Sequence, residues 1–449
     1  MSVGASYDSL STARCYFCNF VSVMKPSRWS AISARSVLGY ERNCARAGVP
    51  AVRRDDMKFC SPELPKRRHV VHHFRMIPTQ RLPVSLTPLD AALDALLRGL
   101  ESVAPIALPL VEALGCVAAE ILPLPAHPSR DVAITDGWAL RARDLVGASS
   151  YSPLPLSAPP VWVEAGEAMP AGCDCVIDAD LLDQTGPIVQ ALAEAIPGQG
   201  VRRAGSEISG ASALIVSGRR IRPLDLLIAR AAGLAELNVR RPRLRLVNIP
   251  AASGEAVTAQ LIVESARAAG ADVVCVEAAA RDAASIAAAA DAGSCDLLIT
   301  MGGTGVGGSD AVIAALARRG EVIAHGIAVQ PGRTAAVGRA AKVPVIALPG
   351  APDQALATWW TLALPALDAL SGLGSRQPVT LPLARKIAST VGIAELALVE
   401  QFEGRWLPLA VGDLSLDAIA RADAWLLVPG GAEGFAAGTP VDAYMLRDR

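Results

Sequence analysis

Long apolar runs are missing from this 449-residue chain. No stretch of about 18 or more uninterrupted apolar residues occurs, which argues against a membrane span. Net charge is also nearly absent, at −1, so no global field draws the chain to nucleic acid or an acidic membrane. The N-terminus has no charged-then-apolar-then-small pattern of a secretory signal. Aromatic residues make up only 4%. The nine cysteines have no disulfide-framework spacing, which points to reduced thiols and a cytoplasmic location.

What is present is apolar and small-residue rich: 52% of the chain is hydrophobic, enough for about two to four globular domains. The charges are unevenly spread. Residues 1–75 carry 13 Lys and Arg against 5 Asp and Glu, and the remainder carries 29 against 38. Cys15, Cys18, Cys44 and Cys60 crowd into that first stretch. A zinc site would use the C-x2-C pair of Cys15 and Cys18 with later cysteines or with His69, His72 and His73, but finger-like spacing is absent in its second half. The expectation is that residues 1–75 are a disordered or non-native extension and that translation starts at Met76.

Order begins at Thr87. Thr87 is a candidate N-cap, Pro88 suits the first helical position, and Asp90 completes a capping-box-like pattern. Leu89, Leu93, Leu96, Leu97 and Leu100 share one helical face, which predicts a helix ending near Ser102. A second helix is predicted over Val111–Ile121, before a proline-punctuated loop at Pro123–Pro128. Short apolar runs between Gly, Pro and Asp turns then predict small β-rich modules up to about residue 240, with Val161–Val163 and Val176–Ile177 as strands. Carboxylates stand out near Asp131, Asp136 and Glu207; in bare sequence most such groups are solvated turn residues.

From Pro242 the period changes. Strands at Leu244–Ile249, Asp272–Val276, Leu297–Thr300 and Val343–Leu348 alternate with helices at Val257–Ala269, Ala283–Ala290, Ala311–Arg318 and Asp353–Leu370. Such alternation requires a mostly parallel sheet with helices on both faces, and ligands bind beyond the carboxyl ends of its strands. Short apolar segments in the tail, including Leu396–Val399 and Trp425–Val428, predict a small β-barrel or sandwich.

The most informative segment is Gly302-Gly303-Thr304-Gly305-Val306-Gly307-Gly308-Ser309-Asp310, between a strand and a helix. Its glycines let backbone approach a ligand, and the helix start offers N–H groups to an anion. The G-K-[ST] ending of a P-loop is missing. Gly303, Gly305 and Gly308 match G-x-G-x-x-G, the dinucleotide fingerprint, yet the next strand, near Val322–Ala324, leads to His325 and Gly326 rather than an acid for a ribose. Asp310 is either a first-turn helix stabiliser or, beside phosphate, a ligand of a bridging divalent cation. Two further turns, Gln330-Pro331-Gly332-Arg333 and Leu348-Pro349-Gly350-Ala351-Pro352, end neighbouring strands. Arg333 there is either a phosphate clasp or a solvated loop residue.

These residues resemble a known family. Gly302–Asp310 is similar to the G-G-x-S-x-G-x-x-D loop of the MoeA/gephyrin E-domain family, with Gly305 in place of Ser. Pro331–Arg333 resembles its P-G-K turn and Leu348–Pro352 its L-P-G-N-P turn. Upstream, Asp131–Leu140 resembles D-x-S-A-M-D-G-Y-A, Ala165–Ile177 resembles T-G-A-P-x-P-x-G-A-D-x-V, and Arg203–Ile208 resembles R-x-x-G-x-D-I. The order and spacing match from Thr87 to the C-terminus.

The resemblance implies an α/β multidomain chain. Residues 76–125 and 208–241 would form an elongated arm, and 126–207 a β-rich inserted domain. Residues 242–373 would form a three-layer α/β/α molybdopterin-binding domain and 374–449 a C-terminal β-barrel. It also implies a homodimer, transient contact with a molybdoenzyme or cofactor carrier, and insertion of molybdate into adenylylated molybdopterin with Mg²⁺ and release of AMP.

Carried over by position, Asp136, Asp180 and Glu207 are the implied catalytic residues. Gly302, Gly303, Thr304, Gly305, Gly307, Ser309, Pro331, Gly332, Arg333, Gly350 and Pro352 would bind the pterin, and Asp282 and Asp310 the metal. Departures are several. The acidic T-G-D-E-L turn becomes Ile249–Ser253, the functional Thr becomes Ala165, two lysines become Gly326 and Gln330, and the Asn of the last turn becomes Ala351. Arg333, Glu207 or Glu255 are the groups that could compensate. A non-catalytic pterin carrier, chaperone or regulator is the alternative function, and a nicotinamide oxidoreductase a third.

Overall fold

A computed structural model describes residues 80–119, 123–210, 215–251 and 257–446. The expectations for residues 1–75, and the possible role of Glu255, lie outside the described residues. Everything below concerns described residues of the unit that spans 76–449.

Its centre is a six-stranded sheet in the order Asp272–Glu277, Arg243–Asn248, Leu297–Met301, Val343–Leu348, Ala336–Ala340, Glu321–His325. The first four strands are parallel and the last two are antiparallel additions. The two central strands, Leu297–Met301 and Val343–Leu348, are nearly continuous apolar runs because both their faces are covered. Leu244, Leu246, Leu297, Ile299, Ile346 and Leu348 pack into one core, with helices Val257–Ala268 and Pro352–Thr358. Val247, Leu298, Val345 and Ala347 alternate into a second core, with helices Ala283–Ala289 and Val312–Arg319. The predicted strands and helices of this segment are all present, displaced by a residue or so at their ends. The last helix continues through a π-helical stretch, Trp359–Ala363, into Leu364–Ser371, ending on Gly372 at φ 64°.

Two predicted details differ. The first helix is shorter, Leu89–Leu97, with Pro88 rather than Thr87 at its N-cap. Thr87 and Pro88 are instead a strand pairing in parallel with Ile327 and Ala328. Of the helix predicted over Val111–Ile121, the described residues 111–119 form none: Gly115, at φ 79°, turns the chain, and Val117–Ala118 pairs with Val239 and Arg240. The left-handed backbone at Gly115 is incompatible with a helix interior.

Strand Ile106–Pro109 also pairs with the Glu236–Arg240 strand, so chain from both sides of the β-rich segment shares one small sheet. Within that segment, Gly137–Leu140 lies between Val161–Val163 and Cys175–Ile177. Val132–Ala133 pairs with Val201–Arg202. In the tail, Ala394–Phe402 pairs with Arg405–Val411 and Ala424–Val428; the latter pairs with Pro440–Met445, which pairs with Val379–Pro382. A bridge between Leu383 and Trp406 brings the two ends of that run together. Strand Ile327–Gln330, which leaves the six-stranded sheet's chain path, joins this second sheet through Ala394 and Glu395. No helix among the described residues is long and apolar enough to cross a membrane.

Candidate functional site

The carboxyl ends of three parallel strands converge on glycine. Ile249 donates to Met301 carbonyl at 3.0 Å, and Gly302 donates to Leu348 carbonyl at 2.9 Å. A Cβ on Gly350 would lie 3.5 Å from Gly302 Cα, so the two following turns run side by side. Gly302 and Gly303 both take left-handed backbone, at φ 87° and 67°, and a Cβ on Gly303 would sit 2.9 Å from Val312 Cγ2. A side chain at either position is therefore strained, by conformation at the first and also by space at the second.

The rest of the loop folds over Asp310. Its Oδ2 accepts from Gly307 N–H at 2.9 Å, and the Asp310 N–H donates to Gly307 carbonyl at 3.0 Å. A Cβ on Gly305 would meet that Oδ2 at 2.7 Å. The other oxygen, Oδ1, pairs at 3.0 Å with Arg281, whose second nitrogen donates to Pro250 carbonyl at 2.7 Å. Gly302, Gly303 and Thr304 are buried, while Gly307 and Ser309 are exposed.

The Pro331–Arg333 turn is tied to the same loop. Thr304 hydroxyl lies 3.1 Å from that of Thr334, and His325 Nε2 lies 3.0 Å from Thr304 carbonyl. Pro331 and Gly332 are buried, the latter because Thr358 Cγ2 would stand 2.5 Å from any Cβ there. Arg333 is exposed and forms no ion pair among the described residues. Pro352 opens its helix with no side-chain cap at Ala351, leaving first-turn N–H groups at the same strand ends. All three glycine turns singled out in the sequence thus meet. A separate cleft of about 1050 Å³, lined by Leu93, Trp360, Trp425 and Tyr444, contains none of the loop residues.

Known proteins resemble this chain in sequence and in fold. A family model for the MoeA N-terminal region, domains I and II, matches residues 87–233, and one described as "Probable molybdopterin binding domain" matches 249–369. Molybdopterin molybdenumtransferase 2 of Mycobacterium tuberculosis is 32% identical over 311 residues, covering 60% of this chain and 76% of its own. The molybdopterin molybdenumtransferase of Synechococcus elongatus is 28% identical over 387 residues, covering 75% and 94%. The chain belongs to the MoeA family. A crystal structure of a molybdopterin biosynthesis MoeA protein from Pyrococcus horikoshii shares the fold, with TM-score 0.61 over 81% of this chain and all of that one, at 23% identity. MoeA membership makes the protein a transferase of molybdenum cofactor biosynthesis.

The carboxylates of the MoeA N-terminal region stand apart from the glycine loop in their bonding. Asp136, ahead of strand Gly137–Leu140, accepts from Ala165 N–H at 2.8 Å. Asp180 is exposed on the short helical turn Ala179–Leu181. Glu207 pairs with Arg202 at 3.0 Å and His127 at 3.4 Å. No hydrogen bond or ion pair among the described residues links these three to each other or to Gly302–Asp310.

The metal expectation fares differently. Asp282 caps helix Ala283–Ala289, accepting from Ala284 and Ser285 N–H and from Ser285 hydroxyl at 2.7 Å. Those Ser285 bonds, side chain first, hold its carboxyl below the usual carboxylate range. Asp310 already has Arg281 as its cation. Magnesium needs about six oxygens in octahedral array, and among the described residues no group of three or more His, Cys, Asp or Glu is placed to hold a metal. As arranged, Asp282 and Asp310 do not fit a magnesium site: one is spent on a helix end and the other on a guanidinium.

Sequence reasoning missed Arg281, Thr334 and Gln80. Gln80 Nε2 donates to Gly303 carbonyl at 3.0 Å and Gly305 carbonyl at 2.7 Å, and its Oε1 accepts from Ile313 N–H at 2.8 Å. Arg281, next to the singled-out Asp282, was findable by its position; Gln80 lies upstream of every motif and carries no local signal.

Proposed function

We infer that the protein inserts molybdenum into molybdopterin, with the pterin's terminal phosphate seated on the glycine-lined strand ends. The observation that carries this reading is the meeting of the turns at Gly302–Asp310, Pro331–Arg333 and Gly350–Pro352. Backbone N–H groups at such a loop and an uncapped helix start form an anion site. Arg333, exposed and unpaired beside it, would clasp an oxyanion of the phosphate or of molybdate.

The substrate would be adenylylated molybdopterin, with AMP released as molybdate is taken up. Asp136, Asp180 and Glu207 would orient the reacting groups from the β-rich domain of a second copy, in a homodimer, across from the first copy's glycine loop. On this reading residues 76–125 and 208–241 form the arm, 126–207 the inserted domain, 242–373 the pterin domain and 374–449 a β-barrel. The work is cytoplasmic, as five free thiols among the described residues accord with, and delivery to a molybdoenzyme or carrier follows it. No step runs through magnesium.

The Asp310–Arg281 pair favours a second reading, a pterin carrier, chaperone or regulator, because it neutralises an acid that chemistry would otherwise use. Incubating purified protein with adenylyl-molybdopterin and molybdate separates the two. Release of AMP above the no-protein rate supports the transferase; tight pterin binding with no AMP release selects the carrier; NADH binding without pterin affinity overturns both.

A further inference from the structure

We propose that Gln80 is a positioning residue for the phosphate loop, turning the loop's amides toward the ligand by holding its carbonyls. The proposal rests on the pterin-site reading above and names the group that sets the loop's polarity.

The argument starts from the peptide unit. A trans peptide is planar, with its C=O and N–H pointing in opposite directions. Gln80 Nε2 reaches both Gly303 carbonyl and Gly305 carbonyl, so both oxygens point to one nitrogen. The N–H groups of the same two peptide units, those of Thr304 and Val306, are therefore aimed away from it. The peptide between them is fixed in the same manner. Thr304 carbonyl can only accept, so His325 Nε2 carries the hydrogen of their 3.0 Å bond, and Gly305 N–H faces away from the imidazole. None of these three N–H groups has a partner among the described residues. Three successive amides whose carbonyls are held elsewhere are left free to donate to an anion, and glycine on both sides of Thr304 gives the backbone the freedom this needs.

Without an anchor, a loop this rich in glycine would sample many peptide orientations and lose the seat to entropy. Gln80 fits the task by reach and by chemistry. Its amide supplies two hydrogens for the two carbonyls, and its oxygen takes the N–H of Ile313 at the start of helix Val312–Arg319. The last bond offers a competing explanation, that Gln80 is no more than a helix cap.

Two substitutions in the full-length protein separate these roles. Gln80→Met keeps length and neutrality but removes both donors and the acceptor. Gln80→Lys keeps donors for the carbonyls and removes the acceptor for Ile313. Molybdopterin, held under anaerobic conditions, is titrated against each protein by its pterin fluorescence, with AMP release and thermal unfolding measured in parallel. The expected result is about tenfold weaker binding or more for Gln80→Met, with kcat at saturation changed by less than about threefold, and recovery of most of the affinity in Gln80→Lys. Equal binding by Gln80→Met and the unsubstituted protein overturns the proposal, as does a Gln80→Lys protein as weak as Gln80→Met. If Gln80→Met does not fold, Gln80→Asn, too short by one methylene to span both carbonyls, takes its place with the same expectation. Failure of the unsubstituted protein to bind molybdopterin would instead remove the pterin-site reading itself.

Discussion

Arg281 pairs with Asp310 at 3.0 Å while also donating to Pro250 carbonyl, so one guanidinium fastens the loops that follow two neighbouring strands. Both side chains are largely shielded, at 31% and 16% exposure, which makes the pair more than a surface ornament. Removing one partner leaves a shielded carboxylate without its counter-charge. Arg281→Met is expected to lower stability by about 1–3 kcal/mol in urea unfolding. An unchanged midpoint would show that the loops hold without it.

Gly305→Val should weaken pterin binding strongly with little loss of fold. Its Cβ would press on Asp310 Oδ2 from 2.7 Å, and the branched methyls would enter the space above the loop's amides. A loss of roughly 30- to 100-fold in molybdopterin affinity is expected by fluorescence titration. Undiminished affinity would move the pterin site elsewhere.

Asp136→Ala separates chemistry from architecture. The carboxylate accepts one backbone bond, from Ala165, at an exposed turn, so its removal should cost stability about 1 kcal/mol. AMP release should nonetheless fall about a hundredfold or more if Asp136 orients the reacting groups. Full activity in the alanine protein would leave Asp136 as a turn residue only.

Acid should weaken the fold partly through Asp225. Its side chain is 2% exposed, and burial alone would raise its pKa. Hydrogen bonds from the Arg222 side chain and backbone, with the charges of Arg222 and Arg219, overcome that burial and hold the carboxyl below its usual range. A carboxyl depressed in the folded chain binds its proton more tightly once unfolded. It therefore stabilises the fold above about pH 4 and loses that contribution as the pH falls through the folded value. Asp225→Asn is expected to flatten the acid limb of a stability-against-pH curve below about pH 4 while lowering the plateau at neutrality. An identical acid limb in both proteins would assign the effect to other groups.

The central parallel strands were legible because burial on both faces leaves a nearly unbroken apolar run, as in Leu297–Met301, where every residue is buried and only Thr300 is polar. The glycine turns were legible because five glycines in nine residues serve no ordinary strand–helix turn. Strand Ala336–Ala340 was not, although it forms a hairpin with Val343–Leu348: five residues with Gly338 and Arg339 among them carry little periodic signal. The strand ending at Gln330 was expected, but not its partners at Thr87 and Ala394, which lie far away in the chain. The false helix at Val111–Ile121 came from counting apolar residues across Gly115. The carboxylate set around Asp136 was visible as a motif, but which surface it faces depends on contacts that no local pattern encodes.

Strand Ile327–Gln330 clasps Thr87–Pro88 on one edge and Ala394–Glu395 on the other, then runs straight into Pro331. Mechanical load on either Thr87–Pro88 or the tail is thus delivered within a few bonds to a wall of the ligand seat. A fusion partner pulling at one end, or a nick in the tail, would be felt as slack at Arg333 before any strand of the central sheet had parted.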